Sequence, residues 1–120
     1  MVEIKLGAVE SRFADIIWTH EPLRSGELVD LCARDLDWKK PTTYTVLRRL
    51  CERGIFRNDT GVVTSVISRD DFYALQSERF VAETFAGSLP SFLAAFTRRR
   101  NLSSAEINEL RRMIDEFEGG

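Results

Sequence analysis

Residues 39–57 hold six cations (Lys39, Lys40, Arg48, Arg49, Arg53 and Arg57) against one anion, Glu52, a local charge of +5. Thr42, Tyr44 and Thr45 are interleaved with them. Lys and Arg neutralise phosphates and release the counterions condensed on a nucleic-acid duplex. Thr offers a hydroxyl and a methyl to base edges, and Arg can reach a guanine or a phosphate. If the segment is a helix whose buried stripe is Thr43, Val46, Leu47 and Leu50, then Thr42, Thr45 and Arg49 fall on the opposite face. Lys39 and Lys40 precede that helix, where a backbone phosphate would lie, and Tyr44 and Arg48 border the face, within reach of either strand's backbone. The blander reading is a solvated helix flank, so the surrounding elements decide between the two.

Other chemistries find less support. No Ser/His/Asp set, carboxylate pair or glycine-rich phosphate loop stands out, so an enzyme is not expected. Cys32 and Cys51 lack C-x-x-C spacing and His20 is the single histidine, which argues against a disulfide framework, a zinc site and any metal or cofactor. The two thiols read as buried structural groups, and His20 as a helix-end residue bonded to terminal carbonyls. Over all 120 residues, 17 Lys plus Arg against 19 Asp plus Glu give a net charge of -2, which excludes histone-like binding by bulk charge. No run approaches the ~18 apolar residues of a membrane span. Met1-Val2-Glu3-Ile4-Lys5 lacks the basic-then-apolar order of a signal peptide. A soluble cytoplasmic protein is expected.

Periodicity supplies the elements. Val9, Phe13, Ile16 and Ile17 predict a helix from about Ala8 to His20, ended by Glu21-Pro22. Ser25 reads as the N-cap of a second helix with Leu28 (or Val29), Leu31 and Cys32 on one face. The third starts near Pro41-Thr42 and runs to Arg53, with Gly54 closing it. Residues 55–67 hold two short β-prone runs about an Asn-Asp-Thr-Gly turn and predict a hairpin. Three helices and a hairpin, with cations on the third helix, make a winged helix-turn-helix. Further helices are expected over 69–85 and 91–97 and from Ser103 onward. Ser103 and Glu106 form a capping box, and Ile107, Leu110, Ile114 and Phe117 trace a narrow seam typical of helix pairing. The fold class is therefore mainly α with a small β-hairpin wing and a C-terminal helical region.

Composition divides the chain into a winged-helix DNA-binding domain over 1–69, net +1, and a helical dimerisation region over 70–120, net -3, which carries six of the eight Phe. Fifty-one residues with six Phe cannot hide that apolar surface in a private core, because small units bury too little of their area. Pairing with an identical chain solves this and repeats the reading helix about a two-fold axis. The candidate dimerisation residues are Phe80, Phe85, Phe92, Phe96, Ile107, Leu110, Ile114 and Phe117. Trp18 and Trp38 read as core or subunit-packing residues, and Arg98-Arg99-Arg100 as a solvated loop.

Trp18, then Asp37-Trp38, then Thr42-x-x-Thr45-Val46-Leu47-x-Arg49-Leu50-x-x-x-Gly54, the wing segment and Leu102-Ser103-x-x-Glu106-Ile107-x-Glu109-Leu110 resemble the BlaI/MecI penicillinase-repressor family of bacterial regulators. The resemblance runs from about Gly7 to Phe117. It implies a homodimeric winged-helix repressor binding inverted-repeat operators, dimerised through its C-terminal helices, with Thr42, Thr45 and Arg49 at recognition positions. It further implies a protease or sensor that relieves repression. The sequence departs from the family in three places. Pro41 follows Trp38 by three residues instead of two, Ala95-Phe96 stands where induced members are cut at Asn–Phe, and no cysteine follows Cys51 to make the copper-responsive Cys-x-Cys pair. The expected function is a homodimeric, sequence-specific DNA-binding transcriptional repressor. The alternative is a winged-helix protein-interaction module without sequence-specific DNA binding.

Overall fold

A computed structural model describes residues 5–119. Met1–Ile4, most of the stretch read above for a leader, and Gly120 lie outside the described residues. The element order is α1 (Ala8–His20), β1 (Leu23–Arg24), α2 (Ser25–Leu36), α3 (Lys40–Glu52), β2 (Phe56–Asp59), β3 (Val62–Ser65), α4 (Arg69–Thr84), α5 (Leu89–Thr97) and α6 (Ser104–Gly119). Two compact units divide between Glu78 and Arg79, inside α4. The change in composition at residue 69 falls earlier than this division, because Phe72 and Tyr73 of α4 pack on the first unit's core.

The first unit is a winged helix. α1, α2 and α3 bury Phe13, Ala14, Ile17, Leu28, Cys32, Leu47 and Leu50 against Ile55, Phe56 and Val63 of the hairpin and Phe72 of α4. Trp18 joins this core, and its ring lies 5.3 Å from that of Phe56 and 5.4 Å from that of Phe72. Trp38 stacks on Phe13 at 5.4 Å, carried there by Asp37, which ends α2 in the left-handed conformation. Both tryptophans therefore serve the core of this unit. His20 caps its own helix, with Nδ1–H donating to the Ile16 carbonyl at 2.8 Å.

The wing is a two-residue hairpin. Thr60 and Gly61 both take positive φ, 48° and 88°, the pair of values a type I′ turn requires. The Asn58 side chain accepts from the Gly61 N–H at 3.0 Å and tightens it. Its base is tied to the end of α1: the Glu21 carboxylate accepts from the Ser65 N–H and hydroxyl, each at 2.8 Å.

Three local expectations need correction. The sheet has three antiparallel strands in the order β1-β3-β2, with Leu23 opposite Val63. Two residues are too few to show an alternation in sequence. Because β1 runs directly into α2, the N-cap is Arg24, whose N–H donates to the Glu27 carboxylate at 3.2 Å, and Ser25 is the first helical residue. The Ser25 N–H is committed to the Gly61 carbonyl of the hairpin at 2.8 Å. Val9 leaves the expected stripe of α1 and is half exposed, its place in the core taken by Ala14 and Trp18.

In the second unit α5 starts two residues earlier than expected, with Ser88 as N-cap accepting from the Ser91 N–H. The capping box opens α6: the Ser103 N–H donates to Glu106 at 3.0 Å and the Glu106 N–H to Ser103 Oγ at 3.1 Å. No residue of α5 or α6 is buried.

Candidate nucleic-acid interface

α3 begins one residue ahead of expectation, at Lys40, with Lys39 as N-cap and Pro41 in the first turn, where its missing N–H costs no hydrogen bond. Its buried residues are Thr43, Val46, Leu47 and Leu50, and Gly54 follows with φ 82°. That stripe sets which side chains reach solvent. Lys39, Lys40, Thr42, Thr45, Arg48 and Arg49 are exposed and Tyr44 is half buried.

These side chains divide between two flanks. On one, Tyr44 reaches back to the start of α2, its hydroxyl donating to Ser25 Oγ at 3.0 Å, while the Lys40 ammonium sits 6.0 Å from its ring centroid. Tyr44 thus braces α3 against α2 at the point where the hairpin turn also bonds. Arg48 lies beside it, over a shallow cleft between α3 and β2 lined by Tyr44, Leu47, Cys51 and Asn58. On the other flank stand Thr42, Thr45 and Arg49. The Thr45 hydroxyl donates to the Pro41 carbonyl at 2.9 Å, which uses its proton and leaves its oxygen as an acceptor.

Arg49 has a neighbour that sequence reasoning missed. The Glu10 carboxylate of α1 lies 3.5 Å from Arg49 and 3.5 Å from Arg53, so one anion faces two guanidinium groups of α3. Glu10 stands at the third position of α1, where its other oxygen accepts from the Gly7 N–H at 3.2 Å. No spacing rule joins residues 10 and 49; only the packing of α1 on α3 does.

Cys32 is fully buried, and desolvation pushes its thiol up to about 11. Cys51 is half buried on α3, and its thiol is also raised by burial. Among the described residues no group of three or more His, Cys, Asp or Glu could hold a metal ion. No single helix there is long and apolar enough to cross a membrane.

The second unit offers an apolar surface rather than a charged one. Phe80, Phe85 and Phe92 meet edge to face at 5.6–6.1 Å, and Phe96 extends the cluster at 6.0 Å from Phe92. Phe80 and Phe96 are nevertheless exposed, as are Leu89, Leu93, Met113 and Ile114, and Phe117 is 83% exposed. Phe85, Phe92, Ile107 and Leu110 are half buried. Leu89, Leu93 and Met113 were not among the expected pairing residues, although they too stand three or four residues from Phe92, Phe96, Leu110 and Phe117. Arg98, Arg99 and Arg100 are exposed, and the Arg100 guanidinium lies 5.8 Å from the Phe96 ring centroid.

Known proteins are similar to this chain in sequence, and over part of it in fold. A family described as Penicillinase repressor matches residues 6–116. The chain is 26% identical over 116 residues to the Penicillinase repressor of Bacillus licheniformis, covering 93% of this chain and 91% of the relative. It is 23% identical over 116 residues to the Methicillin resistance regulatory protein MecI of Staphylococcus aureus (strain Mu50 / ATCC 700699), covering 93% and 94%. Among solved structures it resembles the DNA binding domain of the repressor BlaI, with a TM-score of 0.52 and 25% identity over 59% of this chain and 93% of that one. The fold also matches the Bacillus licheniformis BlaI monomeric form in complex with the blaP half-operator, with a TM-score of 0.50 and 24% identity over the same shares.

Proposed function

Because the chain belongs to the penicillinase repressor family, we propose that it is a transcriptional repressor that binds duplex DNA through α3 and acts as a homodimer on an inverted-repeat operator. The family is one of regulators rather than enzymes. The observation that carries the reading is the surface of α3: its apolar stripe is buried and its cations face solvent beside the wing. In this reading Lys39 and Lys40 hold backbone phosphates at the helix entry, where the free N–H groups of the first turn add their own attraction. Thr42 and Thr45 meet base edges, and Arg48 and Arg49 contact the strands on either flank. Tyr44 borders the face and, through Ser25, also fixes the pitch of the helix against α2.

The apolar side chains of the second unit support pairing with a second copy, since lone exposed aromatics are ordinary but seven exposed large apolar side chains within so small a unit are not. Such a repressor works in the cytoplasm, where bacterial DNA lies. A protease or sensor partner then relieves repression, as the family resemblance implies, and Ala95-Phe96 lies inside α5.

The experiment is a selection from random duplexes. Recovery of a palindrome whose half-sites lie about one or more helical turns apart (~34–36 Å each), bound with a steep inverse salt dependence, is the expected result. Recovery of no preferred sequence would overturn the reading and favour a winged helix that recruits a protein partner.

A further inference from the structure

We propose that Glu10 is a positioning residue that competes with DNA phosphate for Arg49, so that Arg49 joins the interface only on duplexes that bring a phosphate close to it. The inference rests on the reading of α3 as the DNA-binding helix. It starts from an asymmetry between the two cations that share Glu10. Arg53 is the inner one: its side chain is 24% exposed, and it also donates to the Lys5 carbonyl at 3.2 Å. Arg49 is the outer one, 50% exposed, on the flank that carries Thr42 and Thr45.

The carboxylate itself is held from both sides. One oxygen accepts from the Gly7 N–H, and the other is buried with no hydrogen bond, 3.5 Å from both guanidinium groups. A buried carboxylate oxygen stripped of every cation would be costly. With two cations present, one can leave while the other continues to neutralise the charge. Arg49 is therefore released without stranding Glu10, and Arg53 stays behind.

A half-exposed ion pair at 3.5 Å is a weak hold, worth about 1.5–5-fold in an equilibrium. A phosphate that docks well against Arg49 outbids it; one held at the looser distances of a non-specific complex does not. Each phosphate neutralised by a cation contributes about 0.9 to the slope of log affinity against log salt. The conditional contact therefore appears as a difference in slope between the two kinds of duplex.

The test measures salt dependence from 50 to 200 mM for the selected operator and for a random duplex, in the wild type, Glu10→Gln, Arg49→Ala and the double variant. Gln keeps an acceptor for the Gly7 N–H, and circular dichroism with a melting curve checks each fold. For Glu10→Gln the random-duplex slope should steepen by up to about 0.9, at most about a 3.5-fold larger loss of affinity across that range, with the operator slope unchanged. Arg49→Ala should lower the operator slope by about 0.9, leave the random-duplex slope alone and abolish the effect of Glu10→Gln. An unchanged random-duplex slope in Glu10→Gln would overturn the proposal. So would a steepening that persists without Arg49, or an Arg49→Ala variant that flattens both duplexes equally. A wild type that selects no operator would instead overturn the reading of α3.

Discussion

Trp18→Phe tests whether the winged helix is held together around one side chain. The indole packs against Phe56 at the start of the wing and against Phe72 and Tyr73 of α4, at ring distances of 5.3, 5.4 and 5.9 Å. Its Nε1–H donates to the Ile67 carbonyl at 3.0 Å, in the segment that joins the wing to α4. Phenylalanine keeps the aromatic contact but removes the N–H and about a third of the ring system. Losing the hydrogen bond costs about 0.5–1.5 kcal/mol. The void left in a core that closes only partly costs roughly 1–2 kcal/mol more. The total of about 1.5–3.5 kcal/mol is a large share of the ~5–15 kcal/mol that holds a domain of this size. Urea unfolding followed by circular dichroism should show that loss as a lower midpoint at an unchanged slope, and as a melting temperature lower by roughly 4–8 °C for each kcal/mol lost. DNA affinity per folded molecule should stay near that of the wild type, because Trp18 is buried and distant in sequence from the exposed positions of α3. A loss under ~1 kcal/mol would refute the argument that this indole joins α1, the wing and α4.

Other substitutions separate the remaining roles. Thr45→Ala should relax preference at one base pair of the selected operator, by about 1–3 kcal/mol in a competition assay. Lys40→Ala should weaken every duplex about equally and reduce the salt slope by about 0.9. Ile114→Asp and Phe80→Asp should each place a charge in the paired apolar surface and convert dimer to monomer by sedimentation, while binding to a single half-site duplex persists. Cys32 should make stability fall with rising pH. Its thiol titrates at about 11 when folded against an ordinary 9.0, so between these values the unfolded chain has shed a proton that the native one keeps. The contribution is whole below pH ~9 and lost as pH approaches ~11, at most about 2–3 kcal/mol, measured by urea midpoints across that range. A Cys32→Ala variant should lack that part of the decline. In thiol labelling of the native protein at neutral pH, half-buried Cys51 should react before Cys32.

Local rules were legible where one residue type had one physical reason to be present. Thr43, Val46, Leu47 and Leu50 had to share a face, Gly54 had to take a positive φ, and Ser103 with Glu106 had to cap a helix. Legibility stopped where a residue's state is decided by a partner distant in the chain. Leu23–Arg24 is a strand because Val62 and Val63 lie beside it. Ser25 looks like a cap until the hairpin claims its N–H. Glu10 is one of ten acidic residues in the first 69 by count, with nothing in its spacing to mark it as the partner of Arg49 and of Arg53 at the end of α3. The seam of α6 shows the same limit from the other side. Periodicity says that Ile107, Leu110, Ile114 and Phe117 share a face, but not what covers it.

Those two limits bear on one question, how a chain of net charge -2 can bind DNA selectively. The +5 window overstates the field of α3, because Arg49 and Arg53 share Glu10 from outside it. Of the window's six cations, Lys39, Lys40, Arg48 and Arg57 stand exposed and without an acidic partner among the described residues, a small set for one copy. Few phosphate contacts mean weak binding to arbitrary sequence. In the proposed dimer, a second copy held through the apolar surface of the other unit would double those contacts without doubling the entropic cost of association, since the second head would bind from an effective concentration set by the first. That gain is realised only when both half-sites are present at the spacing the dimer allows. On the proposed function, a modest charge on each head and an exposed apolar surface on the second unit are complementary: the first would keep a lone head off random DNA, and the second would make a paired site bind tightly.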